Sequence, residues 1–314
     1  MAQKLMKEVF IDYLREEMAR DEKRVLLDAD LAKCIGSTSI YKTFPDRAFD
    51  VGIAEANMAG IAAGFSAYGF KPVITSFAPF ATRRILDQVM ISLAYAKQNC
   101  VIVGTDPGIC AELNGGTHMP LEDIGALRSI PEITIYEPTD IIELEAVLPE
   151  IMAKKGIIYV RLNRKTPPLV YCGKEDTEFA LMKADVMKEG KDVSLIASGI
   201  MVETALLAAK ELEEKGINAE VVCCHTVKPI DKDTIIGSVR KTGAAVTCEN
   251  HNVIGALGSA VCEAVCEENP VPVIRVGVKE KFGEVGKMPY LREVYDMETS
   301  DVVQAAERAI ALKK

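Results

Sequence analysis

One carboxylate stands out in the sequence because of the residues around it. Residues 49–64 read FDVGIAEANMAGIAAG, in which Glu55 follows a turn glycine and opens a segment of Ala, Ile, Met and Gly. The pattern predicts a fully buried helix with an acid in its first turn. Removing an ionised carboxylate from water is costly unless a partner pairs with it or hydrogen-bonds to it. The sequence therefore raises the question of what Glu55 bonds to.

A second stretch, SFAPFATRR, carries two aromatic and two basic side chains over residues 76–84. Phe77 and Phe80 lie three residues apart where a predicted strand leads into a helix. There they could stack on a flat ring, each contact contributing about 0.5–1.5 kcal/mol beyond area burial, or they could simply fill the core, as Phe commonly does. Together with a buried acid at a strand end of the same sheet, they favour a pocket for a heteroaromatic ring with a basic nitrogen.

The loop TDPGICAELNGGTHMP, residues 105–120, holds polar Asp106, Glu112, Asn114 and His118 in an otherwise apolar region. Long loops within compact domains are usually functional or disordered, and the Gly115-Gly116 pair favours a shaped binding loop. A lone histidine is more often structural. The position of His118 after a Gly-Gly turn, at the carboxyl end of a strand, favours a catalytic role.

Composition excludes several classes of function. The 314 residues are 49% hydrophobic and carry a net charge of −9, which argues against nucleic acid as a partner because no basic stripe is present. Apolar runs are far shorter than the roughly 20 residues of a membrane span. The charged N-terminal stretch is unlike a signal peptide, so we expect a cytoplasmic protein without a membrane partner. Nine scattered cysteines suit reduced, buried thiols.

Strand and helix patterns alternate along both halves of the chain. Apolar runs such as KPVITSF, CVIVGT and GIIYV are separated by helical stretches near 55–68, 82–97 and 140–154, and a similar alternation runs from DVSLIAS to a closing helix from 300. Short strands joined by helices predict crossover connections and a mainly parallel sheet. We predict an α/β protein with two doubly wound domains, residues 1–165 and 191–314, joined by a linker at 166–190.

Five stretches together resemble a known family: FDVGIAEANMAGIAAG, the SF-x-x-F run, GGTHMPLEDIGALRSIPEITIYEPTD, YVRLNR and TCENHNVIGALGS. Over essentially the whole chain, and in order, they resemble the C-terminal half of a transketolase. That half is a thiamine diphosphate-binding pyrimidine domain followed by the transketolase C-terminal domain. The segments GIAE and ENHNVIG-x-LGS also resemble 1-deoxyxylulose-5-phosphate synthase.

The resemblance implies roles for the cofactor-side residues. Glu55 matches a glutamate that hydrogen-bonds the ring nitrogen of the cofactor's aminopyrimidine and favours its imino tautomer, which serves as the base beside the thiazolium carbon. Phe77 and Phe80 would stack on or flank the pyrimidine, with Arg83 where a third aromatic contact is common. His118 matches a histidine that bonds substrate hydroxyls and assists proton transfer. The cofactor performs the carbanion chemistry, and the protein orients it.

Three further positions concern the substrate. Arg164 matches an arginine that grips the sugar phosphate. Asn114 stands where transketolases commonly have an aspartate, and Thr105 stands where many have a second histidine. An amide keeps the hydrogen-bonding shape of a carboxylate but not its charge. The resemblance therefore predicts two-carbon ketol transfer between a ketose phosphate and an aldose phosphate. Asn114 and Thr105 weaken the case for the usual xylulose 5-phosphate as the donor and leave a related, modified ketose open.

The family holds the cofactor's diphosphate through Mg²⁺, bound by a Gly-Asp-Gly motif followed by an Asn in the N-terminal half, and no Gly-Asp-Gly occurs in this sequence. A hard cation that bridges two phosphates needs oxygen ligands. We therefore predict an N-terminal transketolase subunit as partner, which would supply the Mg²⁺ ligands, and a heterotetramer formed by self-association of the pair. The alternatives are the beta subunit of a 2-oxo acid dehydrogenase, a fragment of a 1-deoxyxylulose-5-phosphate synthase-like enzyme, and a non-catalytic interaction subunit.

The ENH run of the second half is harder to interpret. Glu249, Asn250 and His251 lie at a predicted strand end before a helix start that could bind an anion. In the family this domain supports the dimer, so we predict a structural role for the three residues.

Overall fold

A computed structural model describes residues 4–163, 165, 167–173 and 177–313 of the chain. Helices and strands alternate through both halves, as the patterns predict. The strands are β1 (Arg24–Asp28), β2 (Ala48–Asp50), β3 (Lys71–Phe77), β4 (Cys100–Thr105), β5 (Thr134–Tyr136), β6 (Ile157–Leu162), β7 (Asp185–Lys188), β8 (Val193–Ala197), β9 (Ala219–Cys223), β10 (Thr226–Lys228), β11 (Ala245–Asn252) and β12 (Val273–Val278). The α-helices are α1 (Met6–Arg20), α2 (Ala32–Ile35), α3 (Thr38–Thr43), α4 (Glu55–Ala67), α5 (Ala78–Ala81), α6 (Leu86–Gln88), α7 (Asp123–Arg128), α8 (Ile141–Ala153), α9 (Met201–Glu214), α10 (Lys232–Thr242), α11 (Leu257–Glu268), α12 (Met288–Val294) and α13 (Thr299–Ala311).

The strands form two sheets. In the described residues the first sheet has the order β10-β5-β6-β4-β3-β1-β2 and the second has the order β12-β11-β8-β9-β7. All pairings are parallel except those of β10 with β5 and of β7 with β9. Parallel strands with helices on both faces are buried throughout, and β1, β4, β6, β8 and β9 accordingly bury every residue. The two doubly wound α/β units are confirmed.

Two short antiparallel strands depart from the predicted organisation. The segment predicted as a linker, 166–190, contains β7, an edge strand of the second sheet, and it also buries Tyr171 and Leu181. Strand β10 follows β9 in the sequence but pairs with β5 of the first sheet. Both strands are only three or four residues long and carry charged residues at their ends, so no clear alternation marks them in the sequence. Through β10, the second half of the chain completes the sheet of the first.

Helix α4 differs from the prediction of full burial. Its buried residues lie on one side and comprise Met58, Ala59, Ala62, Ser66 and Glu55, whereas Gly60 and Gly64 are exposed. The composition is apolar on both faces, so periodicity could not show which face packs on β3. A surface of small apolar residues therefore remains uncovered in the chain by itself.

The segment 82–97, predicted as one helix, consists of three different helical turns. A 3-10 helix at Arg83–Ile85 leads into α6 and then into a π-helix at Val89–Tyr95. Irregular helical turns often accompany functional sites, and here they follow the SFAPF run. No helix in the described ranges is long and apolar enough to cross a membrane.

Candidate active site

The candidate site lies beyond the carboxyl ends of β3 and β4, which are neighbours in the first sheet. Phe77 at the end of β3 stands in register with Thr105 at the end of β4. In an open parallel sheet this edge is where ligands bind, because the loops that follow the strands converge there. Loop 106–120 follows β4, and α5 follows β3 with a proline in its first turn, so both connections start at the same edge.

Glu55 is the first residue of α4 and is buried. Gly52, with φ of +71°, forms the turn before the helix, and Asp50 Oδ1 accepts a 2.8 Å hydrogen bond from its amide. The helix N-terminus favours a carboxylate at this position. The partner that burial demands is Arg84, whose Nη1 lies 2.8 Å from Glu55 Oε1. In the chain alone, an arginine thus answers the question that the sequence raises.

Three predicted site residues form one ring cluster. The Phe77 and Phe80 centroids are 6.2 Å apart, and the His118 ring lies 5.7 Å from the first and 5.2 Å from the second. All three contacts are edge-to-face, the geometry that aromatic quadrupoles prefer. His118 Nδ1 is 2.8 Å from Thr117 Oγ1, which fixes the direction of the imidazole. The long loop therefore places His118 against the aromatic pair, so candidate residues from two separate stretches of the sequence lie together.

The two adjacent arginines take different partners. Arg84 lies with its guanidinium carbon 4.0 Å from the centroid of Phe80, so it bridges the ring cluster and Glu55. Arg83, the residue predicted to contact the cofactor, instead pairs with Glu122 at 2.7 Å. Successive side chains of a 3-10 helix are separated by about 120° around its axis, which sends the two guanidinium groups apart. Arg84 is the site residue that the sequence prediction missed, although it stands next to the residue chosen.

The other predicted substrate residues are placed differently from one another. Thr105 is buried and its Oγ1 donates to Ser76 O at 3.4 Å, so this hydroxyl is engaged within the sheet edge. Asn114 is exposed at the end of the 3-10 helix Gly108–Asn114. Arg164 lies outside the residues that the structure describes. Among the residues predicted to bind substrate, His118 contacts Phe77 and Phe80, whereas Asn114 lies on the surface of the loop.

The family model of the transketolase pyrimidine-binding domain matches residues 3–168, and that of the transketolase C-terminal domain matches residues 182–302. The chain belongs to the transketolase family. It carries two consecutive domains of that family, and their order along the chain is the order of the two sheets in the fold.

Relatives of similar length support this assignment. A 6-deoxy-6-sulfo-D-fructose transketolase subunit of Clostridium sp. (strain MSTE9) is 48% identical over 98% of this chain and 95% of its own length. A putative transketolase C-terminal section of Methanocaldococcus jannaschii is 35% identical over 90% of this chain and 89% of its own. A solved structure described as a split gene transketolase, inactive beta4 tetramer, is 39% identical, has a TM-score of 0.89 and matches the full length of both chains. The predicted resemblance to the C-terminal subunit of a split transketolase is confirmed.

The transketolase family implies thiamine diphosphate, and the contacts of Arg84 test whether its aminopyrimidine fits this site. A planar aminopyrimidine needs a carboxylate for its ring nitrogen and an aromatic face for its ring. The planar guanidinium of Arg84 already makes both kinds of contact, an N–H donated to Glu55 and a cation–π contact with Phe80. The residues therefore fit the aminopyrimidine end of the cofactor. Among the described residues, no cluster of three or more His, Cys, Asp or Glu side chains could hold a metal ion.

Proposed function

We propose that this transketolase-family chain binds the aminopyrimidine of thiamine diphosphate and, with a second subunit, transfers a two-carbon ketol unit from a ketose to an aldose. The observation that carries the proposal is the convergence of a buried acid, two phenylalanines and a histidine at one edge of the first sheet. When bound, thiamine diphosphate supplies the carbanion chemistry of the transfer, and the protein orients and tunes it.

The residues of this chain would divide the work between cofactor and substrate. Glu55, buried at the N-terminus of α4, would hydrogen-bond the aminopyrimidine ring nitrogen. Its carboxylate would share a proton with that nitrogen in each catalytic cycle. Phe77 and Phe80 would orient the ring and exclude water from it. His118, with Nδ1 next to Thr117, would direct Nε2 toward a substrate hydroxyl and hold or move a proton there.

A partner subunit would supply the Mg²⁺ ligands that grip the diphosphate. Support comes first from the sequence, in which no Gly-Asp-Gly occurs. It comes also from the surface near α4, where three apolar side chains are strongly exposed: Ile53 at 76%, Tyr68 at 87% and Tyr95 at 81%. Ile53 precedes α4 next to Glu55, Tyr68 follows the helix, and Tyr95 ends the π-helix that packs on it, so the exposed apolar residues extend along α4. Extended exposed apolar surface marks contact surfaces. We propose that an N-terminal transketolase subunit covers this surface and that two such pairs form a heterotetramer in the cytoplasm.

The donor is proposed to be a ketose with a terminal oxyanion, either a phosphate or a sulfonate. The identity of 48% to a 6-deoxy-6-sulfo-D-fructose transketolase subunit supports the sulfonate, and the resemblance to transketolases in general supports the phosphate. The two groups share a tetrahedral arrangement of anionic oxygens but differ in charge, because a phosphate monoester undergoes a second ionisation near neutral pH and a sulfonate does not.

A donor panel tests this proposal directly. Given an aldose phosphate as acceptor of the two-carbon unit, the chain reconstituted with its partner should release an aldose shortened by two carbons from at least one of 6-deoxy-6-sulfofructose, fructose 6-phosphate and xylulose 5-phosphate. The ratio of kcat/KM values identifies the terminal group. Transfer from neutral fructose as fast as from every charged donor would contradict the role assigned to the oxyanion.

Replacing Asn114 by aspartate should redistribute activity among these donors. If the amide contacts a donor hydroxyl, the added charge alters that contact, and relative kcat/KM values should shift on the order of tenfold, as expected for one hydrogen bond of about 1.5 kcal/mol. Cofactor affinity should stay nearly unchanged, since Asn114 lies on the loop surface. Asn269→Asp, the same chemical change after α11, is the matched control. Equal losses with all donors, together with weaker cofactor binding, would show that the loop has another role.

A further inference from the structure

The end of β11, in the second sheet, contacts the loop that carries His118 at the start of that loop. Asn250 is fully buried there. Its Oδ1 accepts a 2.9 Å hydrogen bond from the amide of Ile109, and its Nδ2 donates to Pro107 O at 3.0 Å. A single amide side chain therefore satisfies one backbone donor and one backbone acceptor at the start of the loop.

The loop is shaped to accept this side chain closely. Gly108, between the two bonded residues, has φ of +52°, a conformation that L side chains rarely adopt. A Cβ added at Gly108 would clash with the side-chain Oδ1 and with the carbonyl oxygen of Asn250. Glycine is thus required both by the backbone conformation and by the approach of Asn250.

The far end of the same loop is held by the residues that follow Asn250. The amide of Asn252 donates to Leu121 O at 2.9 Å. His251 Nε2 lies 3.3 Å from the amide of Gly125, and its Nδ1 lies 2.7 Å from Asn252 O. Burial lowers the pKa of His251 to about 4. Its neutral imidazole can then accept from Gly125 and donate to the carbonyl at the same time.

Below this contact, a buried charge network fixes the backbone of β11. Arg161, at 0% side-chain exposure, donates to Asn250 O at 2.8 Å and pairs with Asp123 and with Glu137. Tyr159 donates to Asp123 at 2.8 Å. A buried arginine with satisfied carboxylates is a rigid support, because moving any one member would leave a buried charge unpaired. The backbone carbonyl of Asn250 is therefore fixed by Arg161, while its side-chain amide hydrogen-bonds to the loop.

We propose that Asn250 is a positioning residue for ketol transfer: it anchors the start of loop 106–120 and thereby sets where His118 meets Phe77 and Phe80. The inference rests on the proposed function for its kinetic consequences only. Residues 112–114 and 116–117 of the loop are partly or fully exposed. The middle of the loop is restrained separately, because the amide of Met288 donates to Glu112 Oε1 at 3.2 Å and Gly116 approaches the backbone of Gly283 closely. Asn250 acts on the start of the loop. With its first turn tied to β11 and Gly115, of φ +69°, before His118, the loop has one defined path to the ring cluster.

The effect on catalysis is expected through His118 and not through the cofactor. Asn250 contacts the loop backbone and Arg161, whereas the Glu55 carboxylate bonds to Arg84 at a separate point of the site. Removing the side-chain amide of Asn250 should therefore make the position of His118 less well defined. It should leave the affinity for thiamine diphosphate within about twofold of its original value, as for independent sites.

The experiment combines hydrogen exchange with a double-mutant cycle. Asn250→Ala should speed amide exchange of residues 106–118 in the chain and lower kcat/KM of the reconstituted enzyme roughly tenfold, less than the about hundredfold that a displacement of about 1 Å can cost. In a His118→Ala background, the same change should add no more than about twofold, because it acts through a residue already removed. Gly108→Ala breaks the same contact from the loop side, because the added Cβ clashes with Asn250. It should also speed amide exchange of the loop and lower kcat/KM.

Ser198→Ala is the matched control. It removes the 2.7 Å hydrogen bond from Ser198 to Glu137 in the same buried network without touching the loop, so it should lower stability without faster exchange at 106–118. The proposal is overturned if exchange of the loop is unchanged in both Asn250→Ala and Gly108→Ala, or if the losses from Asn250→Ala and His118→Ala multiply. If the wild-type pair transfers no ketol unit from any donor, the proposed function fails, whereas exchange measured on the chain alone still decides whether Asn250 anchors the loop.

Discussion

Replacing Glu55 by glutamine is expected to lower ketol transfer by more than about a hundredfold, the scale of a lost acid–base group, while the chain stays folded. Glutamine preserves size and can still accept one hydrogen bond at Oε1 from Arg84, so the local packing survives. It cannot share a proton with a ring nitrogen. Because the Arg84 side chain is 46% exposed, loss of the ion pair should cost at most about 1 kcal/mol in the free energy of unfolding.

Two measurements separate this chemical role from a structural one. Proton exchange at the thiazolium carbon, followed by NMR on the reconstituted enzyme, should slow in parallel with turnover. Thermal unfolding of the chain should change by only a few degrees. Glu122→Gln is the control, since it makes the same substitution in the half-exposed partner of Arg83. Turnover near the original rate in Glu55→Gln would remove Glu55 from the mechanism.

Much of the fold could be predicted because burial and composition agree over most of its elements. Strands β3, β4 and β6 are apolar runs between longer helical segments, which is the pattern of a parallel sheet covered on both faces. Strand β10 could not be assigned to the first sheet. Its pairing with β5 depends on the arrangement of the whole chain, and three residues carry no alternation that would identify it.

The candidate site was predictable where a residue type is unusual for its surroundings, and not where the direction of a side chain decides. Glu55 stands out as an acid in an apolar helix, and His118 as an imidazole after a Gly-Gly turn. Arg83 and Arg84 are chemically identical neighbours, and only the 3-10 turn determines which of them contacts Phe80. The family resemblance predicts a structural role for Asn250, because the C-terminal domain supports the dimer. Its contact with the loop joins residues about 140 positions apart, and no local pattern encodes such a separation.

The purified chain alone is expected to be inactive and to bind thiamine diphosphate weakly. This chain offers the cofactor's pyrimidine end Glu55 and two phenylalanines, but the diphosphate carries most of the charge, and its Mg²⁺ ligands are proposed to come from the partner. The ion pair between Arg84 and Glu55 should weaken cofactor binding further, because an aminopyrimidine ring that bonds Glu55 must compete with Arg84.

Addition of the Gly-Asp-Gly subunit should restore tight binding and turnover together. Once both ends of the cofactor are held, cofactor and partner should strengthen each other's binding by the same factor, because coupling between two binding equilibria is reciprocal. Titration calorimetry of cofactor with and without partner, and of partner with and without cofactor, measures that factor twice. The Glu55→Gln chain is the internal control: it keeps the exposed surface of α4 and should associate with the partner, but with a smaller coupling factor. The split-enzyme proposal fails if the isolated chain, free of co-purified protein, binds thiamine diphosphate and Mg²⁺ at about micromolar levels, roughly −8 kcal/mol, and turns over a ketose by itself.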